Sequence, residues 1–228
     1  MSQSESPEPS VAVNLGPRDV LGVIQRTYPE ERGLAWVITR LRPWICPFEE
    51  VLARIPTNSS VLDVGCGIGI MTVLAANLAG AQRCLGVDVS EKAISAARRA
   101  KVGGSAVEFN LANEEGWGLE KFDVVLCVDV LHHVPLSKRK EFVAQLCAAA
   151  RPGGVVLLKE ISPRPRWKYL ANCLHDLIIS RQWVTCTSPE TVRAWFEQAH
   201  MTIREVTPMH RLWYAHYLVA AEKPAIVQ

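Results

Sequence analysis

No C-x-x-C pair occurs among the seven cysteines, which stand at 46, 66, 84, 127, 147, 173 and 186. That absence removes the clustered thiolates of a zinc site, and an odd, scattered set is a poor disulfide framework. Thiols spread through apolar segments read as reduced core residues of a cytoplasmic protein. No run of 18 apolar residues exists, so no helical membrane span is expected. Neither sign of charge dominates: a net charge of +2 argues against a strong electrostatic nucleic-acid binder. Residues 1–9 are acidic and rich in Ser and Pro, and they lack the basic region and apolar core of a secretory leader. Residues 1–15 therefore read as a disordered tail. No internal repeat is visible. Apolar residues, by contrast, make up 49% of the 228, ample for one α/β domain with additions.

The most informative stretch is Val61-Leu62-Asp63-Val64-Gly65-Cys66-Gly67-Ile68-Gly69-Ile70. A short apolar run reads as a buried strand. An acid sits at its end, three glycines follow at alternate positions, and residues 71–78 read as a helix. Strand, glycine turn and helix form the local geometry of a nucleotide site. Glycine lets backbone approach a ligand where a Cβ would collide, and the helix N-terminus offers free amides. The spacing is D-x-G-x-G-x-G, not the G-x-G-x-x-G that seats a dinucleotide pyrophosphate. A carboxylate inside the loop repels a diphosphate and suits a cationic or amine-bearing ligand. An NAD-dependent oxidoreductase is disfavoured on both counts. The pattern resembles motif I of the class I S-adenosylmethionine (SAM) dependent methyltransferases.

Further segments agree in order. Residues 83–87 read as a second strand ending at Asp88, about 20 residues past the loop, where an acid is placed to accept from ribose hydroxyls. Ser90 is a candidate N-cap for a helix over 91–101. Residues 107–113 read as a third strand running into a polar turn. In the family resembled, the residue at the place of Asn113 accepts from the adenine amino group; a register three residues earlier gives that place to Asn110. Phe122-Asp123-Val124-Val125-Leu126-Cys127-Val128-Asp129, followed by Val130-Leu131-His132-His133-Val134-Pro135, resembles motif IV of the small-molecule, UbiE-like (type 11/12) branch. Arg151-Pro152-Gly153-Gly154, turning into a strand over 155–160, is similar to the "RPGG-strand" of the same branch.

The alternation predicts an α/β fold with helices on both faces of a parallel sheet. The resemblance makes it the Rossmann-like class I methyltransferase fold. Its sheet is seven-stranded and mostly parallel, with a C-terminal antiparallel hairpin, here over 201–207 and 212–221. It also implies an N-terminal helical cap over 16–58, with helices at 20–28, 30–41 and 47–55. The SAM-binding domain then covers 59–228. Residues 162–187 break the strand–helix rhythm and read as a helical insertion after strand five. Lys138, Arg139 and Lys140 read as a solvated turn opening the next helix.

The resemblance assigns SAM binding to Asp63, Gly65, Cys66, Gly67, Gly69, Asp88, Val89, Ala112, Asn113 and Asp129. Asp63 would organise the loop and accept from the methionyl amine. The Asp129 carboxylate stays open between a cofactor contact and local structure. Cys66 reads as a small filler, not a reactive thiol. His132 or His133 is either a general base, His133 first, or a structural feature of the turn. His175 beside Asp176 on the insertion is a second candidate base, although neighbours on a helix point about 100° apart and form no dyad. His210 and His216 carry no special claim.

Trp167, Tyr169, Leu170, Leu174, Leu177, Ile178 and Trp183 point to an apolar acceptor or to simple packing. Arg164, Arg166 and Lys168 give either a weak peripheral membrane contact or a solvated connection. Methyl transfer needs neither a metal nor a covalent intermediate, because positioning alone supplies up to about 7–11 kcal/mol. The leading reading is therefore transfer from SAM, leaving S-adenosylhomocysteine (SAH), to a small hydrophobic or aromatic molecule, with oxygen the favoured acceptor atom. The protein would be a monomer or homodimer. RNA or protein methylation is the alternative, disfavoured because Asp129-Val130-Leu131-His132 lacks an Asn/Asp-Pro-Pro-aromatic motif. A non-catalytic SAM-binding module is another.

Overall fold

The computed structural model describes residues 15–29, 34–102, 106–112, 117–118, 120–163, 185–212 and 214–225. Three helices come first: α1 (Pro17–Thr27), α2 (Leu34–Ile45) and α3 (Phe48–Leu52). Asp19 opens α1 by accepting from the Gly16 amide at 2.8 Å. The second helix runs on through Pro43, past the expected end at residue 41. A proline forfeits one helical bond, but Cys46 N–H closes the final turn on Arg42 O at 2.7 Å. The third is shorter than the expected 47–55, and Pro47 precedes it as N-cap.

The core then alternates. It runs β1 (Ser60–Val64), α4 (Ile70–Leu78), β2 (Arg83–Asp88), α5 (Glu91–Ala97), β3 (Ala106–Leu111), β4 (Phe122–Val128), α6 (Arg139–Ala149), β5 (Ala150–Ile161), α7 (Pro189–Gln198), β6 (Thr202–Arg211) and β7 (Tyr214–Glu222). Ser90 caps α5 as expected, accepting from Ala93 N–H, and Ser188 caps α7 by accepting from Thr191 N–H, each at 3.2 Å. The fifth helix stops before residue 101 because Lys101 N–H leaves it to bond Thr27 O on α1. The Arg-Pro-Gly-Gly run, expected as a turn, already lies within β5. A register shift opposite Phe122 and Val124 accommodates it.

One seven-stranded sheet results, in the order β3-β2-β1-β4-β5-β7-β6. The four pairings among β1 to β5 are parallel, and β7 runs antiparallel to both β5 and β6. The expected terminal hairpin is present. Apolar residues cover both faces. Val20, Ile24, Phe48, Leu52, Leu74 and Ile94 from α1, α3, α4 and α5 pack on one, and Val143, Leu146, Val192 and Phe196 from α6 and α7 on the other. Each such side chain removed from water contributes about 1.5–3 kcal/mol. The inner strands are buried on both faces, which is why they read as unbroken apolar runs. Chain order reverses between β1 and β4, and that switch point opens a crevice at the carboxyl ends of the strands.

Candidate active site

A cavity of about 670 Å³ occupies this crevice, with Asp63, Gly65, Cys66, Gly67, Asp88, Val89, Ala112, Asp129 and His133 in its walls. Arg42 from α2 closes one side, and Trp117 and Phe142 close another. The glycine loop is held from beneath by backbone: Gly65 and Cys66 N–H both bond Val87 O, at 2.8 and 3.0 Å. Gly67 has φ +57, and a Cβ built on it meets no atom within 4 Å. Its bare face is therefore available to a ligand. Gly69 lies outside the cavity walls. Its φ is +85, and a Cβ there would sit 2.5 Å from the Phe109 ring, so packing beneath the loop demands this glycine.

Two acids flank the loop. Asp88 Oδ2 accepts from Gly67 N–H at 2.9 Å, and its Oδ1 accepts from Ser90 N–H at 2.8 Å. The carboxylate thus braces the loop against the start of α5. Asp63 is only 1% exposed. It accepts from the Thr72 hydroxyl at 2.6 Å. Burial pushes its carboxyl up to about 6, against the opposing pull of the Thr72 hydrogen bond. Burial also pushes the Cys66 thiol far above its usual range, which leaves it without thiolate character.

At the end of β4 the chemistry changes. Asp129 takes a left-handed backbone, φ +57, which is uncommon for any residue but glycine and costs free energy to hold. Both its oxygens accept from Lys159 Nζ, at 2.6 and 2.8 Å. The Lys159 side chain is wholly buried. Arg42 stands 3.8 Å from the same carboxylate, and the Cys46 thiol donates to it at 3.6 Å. Burial alone would raise the Asp129 carboxyl, but the surrounding cationic groups, the Lys159 ammonium foremost, together hold it well below the usual range. The carboxylate is thus bound in a local ion pair while its residue still lines the cavity. Sequence reasoning missed Lys159 and Arg42. A lysine inside the apolar run Val155-Val156-Leu157-Leu158-Lys159 was the available signal.

The two histidines separate. His132 is buried with its Nδ1 2.5 Å from Glu160 Oε1, and its amide donates to Glu160 Oε2 at 3.0 Å. A carboxylate only accepts, so Nδ1 carries the proton of this pair. His133 is exposed and faces the cavity. Arg139 overturns the expected solvated turn, being 2% exposed. Its guanidinium donates to Val134 O, His132 O and Thr187 Oγ1, at 2.9, 3.1 and 2.8 Å. Five directed N–H donors let it serve three acceptors at once, which a lysine could not match in this planar arrangement. Lys138 and Lys140 are exposed. Asn113, His175 and the apolar side chains of residues 167–183 lie outside the described residues.

This strand order, with β7 reversed and a cavity over a glycine loop at the switch point, defines a Rossmann-like α/β methyltransferase fold. The chain belongs to the methyltransferase-domain family, whose model matches residues 36–206. It is a class I SAM-dependent methyltransferase. A ubiquinone biosynthesis O-methyltransferase of Leptothrix cholodnii is 28% identical over 186 residues, 72% of this chain and 77% of that one. A protein of the same name from Hahella chejuensis is 28% identical over 182 residues, 74% of this chain and 73% of the other. In fold, the chain is similar to magnesium protoporphyrin IX methyltransferase from Synechocystis PCC 6803 with bound SAH. The TM-score is 0.66 at 20% identity, with 89% of this chain and 93% of that one covered. A SAM-dependent methyltransferase from Methanosarcina mazei has a TM-score of 0.61 at 18% identity, covering 77% and 97%.

Proposed function

We propose that this enzyme transfers the methyl group of SAM to a hydroxyl oxygen of a small hydrophobic or aromatic acceptor. The observation that carries the reading is the bare backbone of Gly67 facing a cavity between the Asp63 and Asp88 carboxylates. Two acids beside exposed backbone repel a diphosphate and favour a cationic amino acid joined to a ribose. The O-methyltransferase names of both relatives favour oxygen as the acceptor atom. The cavity volume falls within the usual range for a small-molecule site.

The residues of the chain divide the work. Asp63, Gly65, Cys66 and Gly67 hold the methionyl end. Asp88, pinned by two amides, keeps lone pairs for ribose hydroxyls. Val89, Ala112 and Asn113 enclose the adenine, and the backbone at Asp129 closes the floor. SAM supplies a methyl group on a cationic sulfur, already activated toward nucleophiles. His133 on the cavity wall is the candidate to take the acceptor's proton, with His175 second. Residues 16–58 act as the cap, since Arg42, Ile45 and Cys46 reach over the ends of β4 and β7. Residues 59–228 form the catalytic domain.

Calorimetric titration with SAM, SAH and NAD tests the cofactor: the first two should bind and the third should not. Incubation with methyl-labelled SAM and separate panels of phenols, RNA and protein tests the acceptor. Label appearing only in RNA or protein would overturn the small-molecule reading. His133→Ala should lower turnover while sparing SAM affinity, and unchanged turnover would remove it as the base.

A further inference from the structure

We propose that the outer face of α2 docks this enzyme on an anionic lipid surface and so brings the cavity mouth to an apolar acceptor held in the bilayer. The docking goes beyond the methyltransfer reading; only the delivery of an acceptor rests on it. The second helix crosses the carboxyl edge of the sheet. Trp36 and Thr39 line a cleft with Ser90 and Ala93 at the start of α5. Arg42 reaches Asp129 at the end of β4, and Ile45 O bonds His216 at the start of β7. Successive helical residues turn about 100°. Thr39, which is buried, and Arg42 therefore share the inner face. Val37, Leu41 and Trp44 share the outer one, within about 60° of one another.

That outer stripe is apolar and faces water. Val37 and Leu41 are more than half exposed, and Trp44 more than a third. The solvent side of a surface helix is ordinarily polar, so an apolar stripe there marks a docking face. Two side chains that are more exposed still extend it. Leu212 sits at the tip of the β6–β7 hairpin, which the Arg211–Glu49 ion pair ties to α3. Leu136 follows β4, beside Lys138, which shares the cofactor cavity with Arg42. Of the other large apolar side chains this exposed among the described residues, Val89 and Leu111 stand at the same edge, at the ends of β2 and β3, and Val206 alone lies within a strand. The opposite edge, where the parallel strands begin, carries none among the described residues. Exposed apolar surface is thus gathered around the cavity mouth.

Charge selects a lipid surface over another protein chain. Arg40, which is exposed, borders the stripe, and α2 contains no acid. The acids nearest this end, Glu49 and Asp129, are already paired with Arg211 and Lys159. Beside Leu136, the exposed Lys138 and Lys140 outnumber Glu141. A second copy meeting this face about a twofold axis offers Arg40 no acid on its own α2. Anionic headgroups do complement it, and tryptophan beside arginine suits the boundary between headgroup and acyl chain. Twelve residues are too few to cross a bilayer, so α2 lies in its surface. The exposed side chains come from separate elements and not from the walls of one groove, which fits a fluid partner that needs no matching shape. A small hydrophobic acceptor concentrates in the same layer, within reach of the cavity.

Flotation of the full chain with phosphatidylcholine vesicles, with and without phosphatidylglycerol, tests the docking in the absence of SAM and acceptor. Binding should appear with the anionic vesicles and weaken as salt screens them. Leu41→Glu should lower the partition constant about tenfold, the effect of keeping one half-exposed leucine out of the acyl layer. Arg40→Ala should lower it about fivefold, the effect of one cation near the headgroups. SAM affinity should stay at its original value in both, because neither side chain lines the cofactor cavity. No binding to the anionic vesicles, equal binding to both kinds, or unaltered binding of Leu41→Glu would each overturn the proposal. So would a dimer in analytical ultracentrifugation that Leu41→Glu disperses, since the stripe would then belong to a second copy. If Leu41→Glu misfolds, Arg40→Ala and the comparison of vesicles still decide. Failure of SAM to bind, or of any phenol to accept the methyl group, would instead defeat the methyltransfer reading and leave the vesicle result separately legible.

Discussion

The two halves of the crevice are built by different means. On the β1–β2 side, backbone does the work: amides of Gly65 and Cys66 bond Val87 O, and Gly67 N–H bonds Asp88. On the β4–β5–β7 side, buried ionic and polar side chains do it: Asp129 with Lys159, Glu160 with His132, and Arg139 over three oxygens. The first arrangement ties the glycine loop to the end of β2 through main-chain amides. The second joins side chains whose burial answers to charge balance. One side should therefore fail by losing ligand, the other by losing stability.

The largest effect should come from breaking the buried pair. Asp129→Ala leaves the Lys159 ammonium without its main partner in a wholly buried position, and should cost about 3–5 kcal/mol. The shift in urea midpoint at constant slope measures it. The double change Asp129→Leu with Lys159→Met should recover most of that loss. No recovery would mean that the left-handed turn, not the charge, sets the stability of this side.

A sharper division is expected within the loop. Gly69→Ala drives a Cβ into Phe109 at 2.5 Å, and should cost about 1–3 kcal/mol of stability. Gly67→Ala meets open space. It should cost about 1–2 kcal/mol through its left-handed backbone alone, while SAM affinity falls as the methyl fills the ligand's place. If Gly67→Ala bound SAM as well as the unmodified protein, the open face would not be the ligand's seat.

The smallest effect is that of pH on Asp63. Its folded carboxyl, pushed up to about 6, lies above the ordinary unfolded value of about 4. Folding therefore favours the protonated form. Stability from this group is full below about pH 4 and is lost as pH rises through about 6. Affinity for a cationic ligand should run the opposite way, falling about tenfold between about pH 7 and about pH 5 as the carboxyl protonates. Titrations with SAM across that window, with Asp63→Asn as the control that flattens the profile, check the sign. A flat profile in the unmodified enzyme would remove Asp63 from cation recognition.

The legible parts of the chain share one property. The glycine loop, Asp88 with its Ser90 cap, and the unbroken apolar strands are each specified by residues within about one turn or strand of one another, so spacing alone exposes them. Arg139 was misread because a Lys-Arg-Lys run at a helix start is ordinarily solvated. Only the approach of Thr187 and the turn at Val134 supplies acceptors that permit its burial. Lys159 lay in plain view inside a strand, yet nothing local names Asp129 as its partner.

By itself, the sequence determined the α/β alternation, the acid-bearing glycine loop and the reversal at the last strand, because periodicity and backbone permission are local properties. Tertiary structure alone decided that Asp129 belongs to an ion pair and that His132 and His133 face different surroundings. Each of these turns on which distant group stands within about 3 Å, and hydrogen-bonding and burial act only at that range.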